Sequence, residues 1–172
     1  ENRPDDKAKL VSQRLMLKAA SRSRRMDYDA SALTVSAKLE NGKRLEAEMR
    51  FHASCDNAQF AKLWAELWQR IIRTRWELMR QTPPLAGARI KKVSVALHGL
   101  NPTGQRQPDL FDATTSHKNQ QRNETLSHVM DELNQRFGRN TLTTASTLGE
   151  ANVVTGTKIA FNRIPDKQEF SE

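Results

Sequence analysis

ALTVSAKLENGKRLEAEMRF, residues 32–51, alternates almost without a break. Leu33, Val35, Ala37 and Leu39 fall on one side of an extended chain, and Thr34, Ser36 and Lys38 on the other. Past the turn, Leu45, Ala47, Met49 and Phe51 point one way, and Arg44, Glu46, Glu48 and Arg50 the other. A period of two belongs to strands, whose successive side chains leave opposite faces. Asn41-Gly42 supplies the backbone freedom of a hairpin turn. The stretch therefore predicts an antiparallel hairpin with one apolar and one polar face.

A third strand is predicted at 89–98, RIKKVSVALH. Val93, Val95 and Leu97 share one face, with Lys91 at its leading edge, and Lys92, Ser94, Ala96 and His98 share the other. Ile90 falls with the polar set, so the alternation is imperfect at its start. Two helical periods surround these strands. In 5–25, Val11, Leu15 and Ala19 recur every four residues, Asp5 and Asp6 sit at the start, and Arg22, Arg24 and Arg25 at the end, as the helix dipole favours. In 57–80, with Asp56 or Asn57 as cap, Phe60, Leu63, Trp64, Leu67, Ile71 and Leu78 form a buried stripe that Trp68 and Trp76 broaden. Arg70, Arg73, Arg75 and Arg80 line the remainder, and Pro83-Pro84 ends the helix.

The order helix, strand, strand, helix, strand over 1–104 is βαββαβ without its first strand. Either the chain begins inside the module or the sheet has three strands. The expected class is α+β: an antiparallel sheet with two helices on its apolar face. Residues 105–121 are loop-like. Beyond them, Leu126, Val129, Met130, Leu133 and Phe137 predict a helix over 122–137, stopped by Gly138. Short strands are expected at 141–145 and 157–165, which gives 122–172 the form of a small helix-strand extension.

Charge divides along the same line. Of the 172 residues, 1–106 hold 21 Lys+Arg and 11 Asp+Glu, while 107–172 hold 7 and 9. The first part suits a polyanion, or presents an ordinary solvated basic surface; the second part does not suit one. The hydrophobic fraction, 37%, predicts a modest core. Cys55 is the single cysteine, which excludes an internal disulfide and suits a reducing cytoplasm. No apolar run reaches membrane-spanning length. The charged start is no secretory leader, and without an initiator Met the chain reads as a fragment or a processed product.

No catalytic constellation is present. The carboxylates are scattered, and Asp27 and Asp29 fit turn or cap roles. His52, His98, His117 and His128 lack metal-ligand spacing. There is no phosphate-binding glycine loop and no nucleophile elbow. What remains is the polar sheet face: Thr34, Ser36, Lys38, Arg44, Arg50, Lys91, Lys92 and Ser94, with His98 beside them. Hydroxyls and cations hold phosphate oxygens. The face has no aromatics on which unpaired bases could stack, so it suits a duplex backbone held without reading sequence. Glu46 and Glu48 on the same face oppose this, and would confine contact to its edges.

Several stretches resemble one family: RLMLKAASRSRRMDYDASALTVSAKLENGKRLEAEMRF, LWAELW, KKVSVALHGLNP and QPDLFD, then ETLSHVMDELNQRFGRNTLTTAS and TGTKIAFNRIPDKQEF. In this order they look like the C-terminal part of a Y-family, translesion DNA polymerase, of the DNA polymerase IV or ImpB/MucB/SamB group. The resemblance implies a little finger, whose sheet lies in the DNA major groove of a double-stranded template-primer. It implies that palm, fingers and thumb, with their Mg2+ and nucleotide, lie upstream, and that this region holds no catalytic site, cofactor or small-molecule ligand. It also implies a cytoplasmic, nucleoid-associated bacterial protein of DNA repair and the SOS response, with no membrane partner.

Gln107-Pro108-Asp109-Leu110-Phe111 then resembles the peptide that binds the bacterial sliding clamp. Such a segment buries Leu and Phe in a partner's pocket, with Gln at the rim. Alternatively, Leu110 and Phe111 pack on the module or on helix 122–137. Two other readings stand beside the polymerase. One is an inactive Y-family accessory adaptor; the other is a plain protein-interaction module with a basic face.

Overall fold

The computed structural model describes residues 4–81, 89–105, 114–138 and 141–147. The elements are α1 (Pro4–Arg25), β1 (Tyr28–Leu39), β2 (Arg44–Ser54), α2 (Asn57–Gln81), β3 (Ile90–His98), β4 (Asn101–Pro102) and α3 (Thr114–Phe137), then a short 3-10 turn at Ala145–Thr147. The class is α+β, as expected. The sheet runs β2-β1-β3, all antiparallel, and β4 pairs with the start of β1 at Tyr28 and Asp29.

The hairpin forms where the alternation places it. Lys38 pairs with Arg44, leaving Leu39 to Lys43 to turn. Gly42 has φ +86, a conformation costly for other residues, and its N–H donates to Leu39 O at 3.0 Å. Leu33, Val35, Ala37, Leu39 and Leu45 are buried in one core with Phe60, Leu67, Ile71, Trp64 and Trp68 of α2 and Met16 and Ala20 of α1. Burying side chains such as Phe60, Leu67 and Ile71 stabilises by about 1.5–3 kcal/mol each. Both α1 and α2 pack on this apolar face, so among the described residues the polar face is left open on the far side.

The irregular start of the third strand is a bulge. Lys38 pairs with Lys92 but Leu39 with Ile90, so Lys91 and Lys92 together oppose Lys38. The extra residue resets the phase and returns Ile90 to the core, where it packs beside Leu39. At the other end Gly99, at φ +62, brings its carbonyl to Ser31, which donates from both N, at 3.2 Å, and Oγ, at 2.8 Å.

Four expectations are corrected. Trp76 does not broaden the core: it is 60% exposed. It lies about two and a half turns past Leu67 and so on the opposite side of α2. Arg75, expected on the charged side, is buried instead, with NH1 2.7 Å from Asp5 Oδ2. The buried line of α1 is Ser12, Met16 and Ala20 rather than Val11, Leu15 and Ala19, which are only partly buried. Small residues let α1 approach closely, and the Trp64 indole N–H donates to Ser12 Oγ at 2.9 Å. Finally, 141–145 forms no strand; Thr141 and Leu142 bend back, with Leu142 N–H donating to Asn134 Oδ1 at 2.8 Å. The strand expected at 157–165 lies outside the described residues.

The tail helix α3 starts at Thr114, ahead of the apolar pattern that announced it at 122. It docks through polar groups. Ser127 Oγ accepts from Asn57 N–H at 3.1 Å, and Asn123 donates to Asp56 Oδ2 at 3.4 Å. His128 lies 3.8 Å from Cys55 Sγ. The apolar stripe faces elsewhere: Leu126, Val129 and Phe137 are exposed, and Met130 and Leu133 are half-buried.

Candidate nucleic-acid interface

Register fixes the polar face row by row. Arg44, Lys38 and Lys92 stand side by side across the three strands nearest the hairpin, with Lys91 adjoining. The next rows are Glu46, Ser36 and Ser94; then Glu48, Thr34 and Ala96; then Arg50, Ala32 and His98. All eight expected DNA-contacting residues lie on the strands of this sheet, and six of the eight cluster at the hairpin end: Lys38, Arg44, Lys91 and Lys92, with Ser36 and Ser94 in the adjacent row. Arg50 sits apart, at the far end.

The hydroxyls are tied together. Ser36 and Ser94 share a hydrogen bond at 2.7 Å, and Arg44 NH2 donates to Ser36 Oγ at 3.2 Å. Thr34 Oγ1 lies 2.6 Å from His98 Nε2 and 3.4 Å from Glu48 Oε2. Two of the cations are also engaged. Arg44 Nε is 3.1 Å from Glu46 Oε2, and Arg50 Nε is 3.7 Å from Glu48 Oε1. Lys38, Lys91 and Lys92 are exposed, and no ion pair is recorded for them among the described residues. The centre of the face, Ala32, Thr34, Ser36, Ser94 and Ala96, carries only small side chains, so a flat backbone can approach it closely.

Two further cations stand at this end. Lys43, in the turn, and Arg89, just before β3, are both exposed; Glu40 N–H donates to Arg89 O at 3.0 Å, which holds Arg89 beside the hairpin. The run Arg89, Lys91, Lys92 next to a hairpin containing Lys43 was the available signal, but the pairing was needed to bring them together. The described tail stays clear of this region: α3 meets Arg24 of α1, the β2–α2 corner and the start of α2. Asp27 serves as a turn residue, at φ 57, while Asp29 is buried at the start of β1. Among the described residues no group of three or more His, Cys, Asp or Glu could hold a metal ion. No described helix is long and apolar enough to cross a membrane. The clamp-like residues Gln107, Pro108, Asp109, Leu110 and Phe111 lie outside the described residues.

A family model described as the impB/mucB/samB family C-terminal domain matches residues 3–110. The chain belongs to this family. The impB/mucB/samB match runs from the start of α1 through β4 to Leu110, and so contains the whole sheet and both of its covering helices but stops short of α3. It agrees with the C-terminal region of a Y-family polymerase. Comparison with curated proteins and with solved structures gives no match.

Proposed function

We propose that residues 4–105 grip duplex DNA through the polar sheet face, as the little finger of a translesion DNA polymerase in damage tolerance. The observation that carries this reading is the cationic row Arg44, Lys38 and Lys92, with Lys91 beside it, on a face the helices leave open. Side chains that are small at the centre and cationic at the end favour contact with phosphates over base edges. Binding is then indifferent to sequence and falls steeply with salt. Titration of a random-sequence duplex at about 50 and 200 mM salt tests it; a flat or absent response overturns it.

Gln107-Pro108-Asp109-Leu110-Phe111 tethers the protein to a sliding clamp under the same reading. A Leu110→Ala/Phe111→Ala variant should lose clamp binding with its far-UV circular dichroism unchanged; undiminished binding removes the motif. Under this reading the Mg2+ of the polymerase is held by another part of the protein. The nucleoid is the compartment this reading assigns.

One observation favours a second reading, a protein-interaction module. On α3, Leu126, Val129 and Phe137 are turned to solvent while the polar side docks. Duplex binding by the full chain that survives Leu126→Ser/Phe137→Ser separates the two roles.

A further inference from the structure

The polar face carries fewer available cations than its sequence suggests. Arg44 is 3.1 Å from Glu46 and Arg50 is 3.7 Å from Glu48, each pair on one strand and one face. Glu48 is also within 3.9 Å of His98 Nε2. We infer that Glu46 and Glu48 are built-in counter-anions that partly occupy Arg44 and Arg50, so that on the polar face Lys38, Lys91 and Lys92, more than these arginines, carry the phosphate grip and duplex is seated toward β3, away from β2. This inference rests on the duplex-binding reading above.

The physical reason lies in ion accounting. A lysine without a partner releases a condensed counterion when it meets a phosphate. An arginine already held by a carboxylate does not raise that number, because the carboxylate it leaves must recruit a cation from solution. Glu46 and Glu48 also repel any phosphate brought over β2. The lysine triplet, created by the bulge that sets Lys91 and Lys92 against Lys38, has no carboxylate on its own row. Exposed pairs of this kind are weak, so the masking is partial and adjustable rather than locked. The expected result is a grip loose enough for the protein to shift along DNA.

The test uses the full chain and a random-sequence duplex, with Glu46→Gln/Glu48→Gln as the variant and circular dichroism as the folding check. Affinity should rise roughly 3- to 10-fold at low salt, as expected for two exposed pairs. The slope of log affinity against log salt should steepen by about 0.9 for each carboxylate removed. Adding Arg44→Gln to the variant should return about half of that gain. Glu66→Gln is the control, compared per carboxylate removed: it breaks one exposed pair, with Arg70 at 3.1 Å, on α2 on the other side of the sheet. Equal tightening per carboxylate by Glu66→Gln would reduce the effect to net charge and overturn the inference. Salt-dependent binding by the unaltered chain, with no steeper slope in the variant, overturns the inference alone. No binding by either protein overturns the duplex reading and the inference with it.

Discussion

Arg24, in the last turn of α1, donates from Nε to Asp131 Oδ2 on α3 at 2.7 Å, with its own side chain 2% exposed. The same guanidinium donates from NH1 to Cys55 O at 2.7 Å and to Asn57 Oδ1 at 2.9 Å. One buried cation thus joins α1, the β2–α2 corner and the tail helix. Asp131→Ala leaves that cation without the one carboxylate that pairs with it among the described residues. Stability should fall by about 1.5–3 kcal/mol, the range for a hydrogen bond to a charged group. Hydrogen exchange should rise first in α3, while β1 and β2 stay protected; uniform loss of protection would refute the local role.

Ser12 offers a second test of a buried polar contact. Its hydroxyl accepts from Trp64 Nε1 inside the core. Ser12→Ala strands an indole N–H without a partner, at a cost of about 1–3 kcal/mol. Chemical denaturation should show an earlier midpoint with an unchanged slope.

Trp76 and Trp68 should behave as opposites although both stand on α2. Trp68→Ala removes a large buried ring and should cost about 3–5 kcal/mol. Trp76→Ala should stay within about 0.5 kcal/mol. In the unaltered chain, the fluorescence lost on Trp76→Ala should be the fraction most readily quenched by acrylamide.

Lys92→Gln should weaken duplex binding equally for every sequence and flatten the salt slope by about 0.9. A change that depends on DNA sequence would mean that the face reads base edges.

At Gly99 both the conformation, φ +62, and the space are demanding, because an added Cβ would meet Ser31 Oγ. Gly99→Ala should cost about 1–3 kcal/mol, the range for a strained backbone position. The β1–β4 junction should be the first region to lose protection.

The hairpin was readable from its sequence because its two faces differ in polarity at every step, and a period of two admits one assignment. The Ile90 anomaly was visible too, but its cause was not: a bulge appears only when two strands are paired. For α1, apolar spacing misled, because the residues that approach the sheet are chosen for size, and Ser12 and Ala20 weigh little on a hydrophobic scale. In α3 the apolar stripe locates the helix along the chain but not the side that docks, because Leu126, Val129 and Phe137 face solvent. The docking instead uses Ser127, Asn123 and Asp131, which look like surface residues until Arg24 and Asn57 are set against them. The site followed the same division. Alternation put Lys38, Arg44 and Lys92 on one face, but whether Arg44 turns to Glu46 or outward is a rotamer choice that no spacing encodes.

The alternation on β2 has a bearing beyond the single molecule. Among the described strands β2 is a sheet edge, with unpaired backbone groups along one side. Laid antiparallel against a second copy about Ala47, it would set Arg44 opposite Arg50 and Glu46 opposite Glu48, like sign against like at each step. In that register the strand carries a deterrent to edge-to-edge self-association, which the same charges alternating in sign along the strand would not provide.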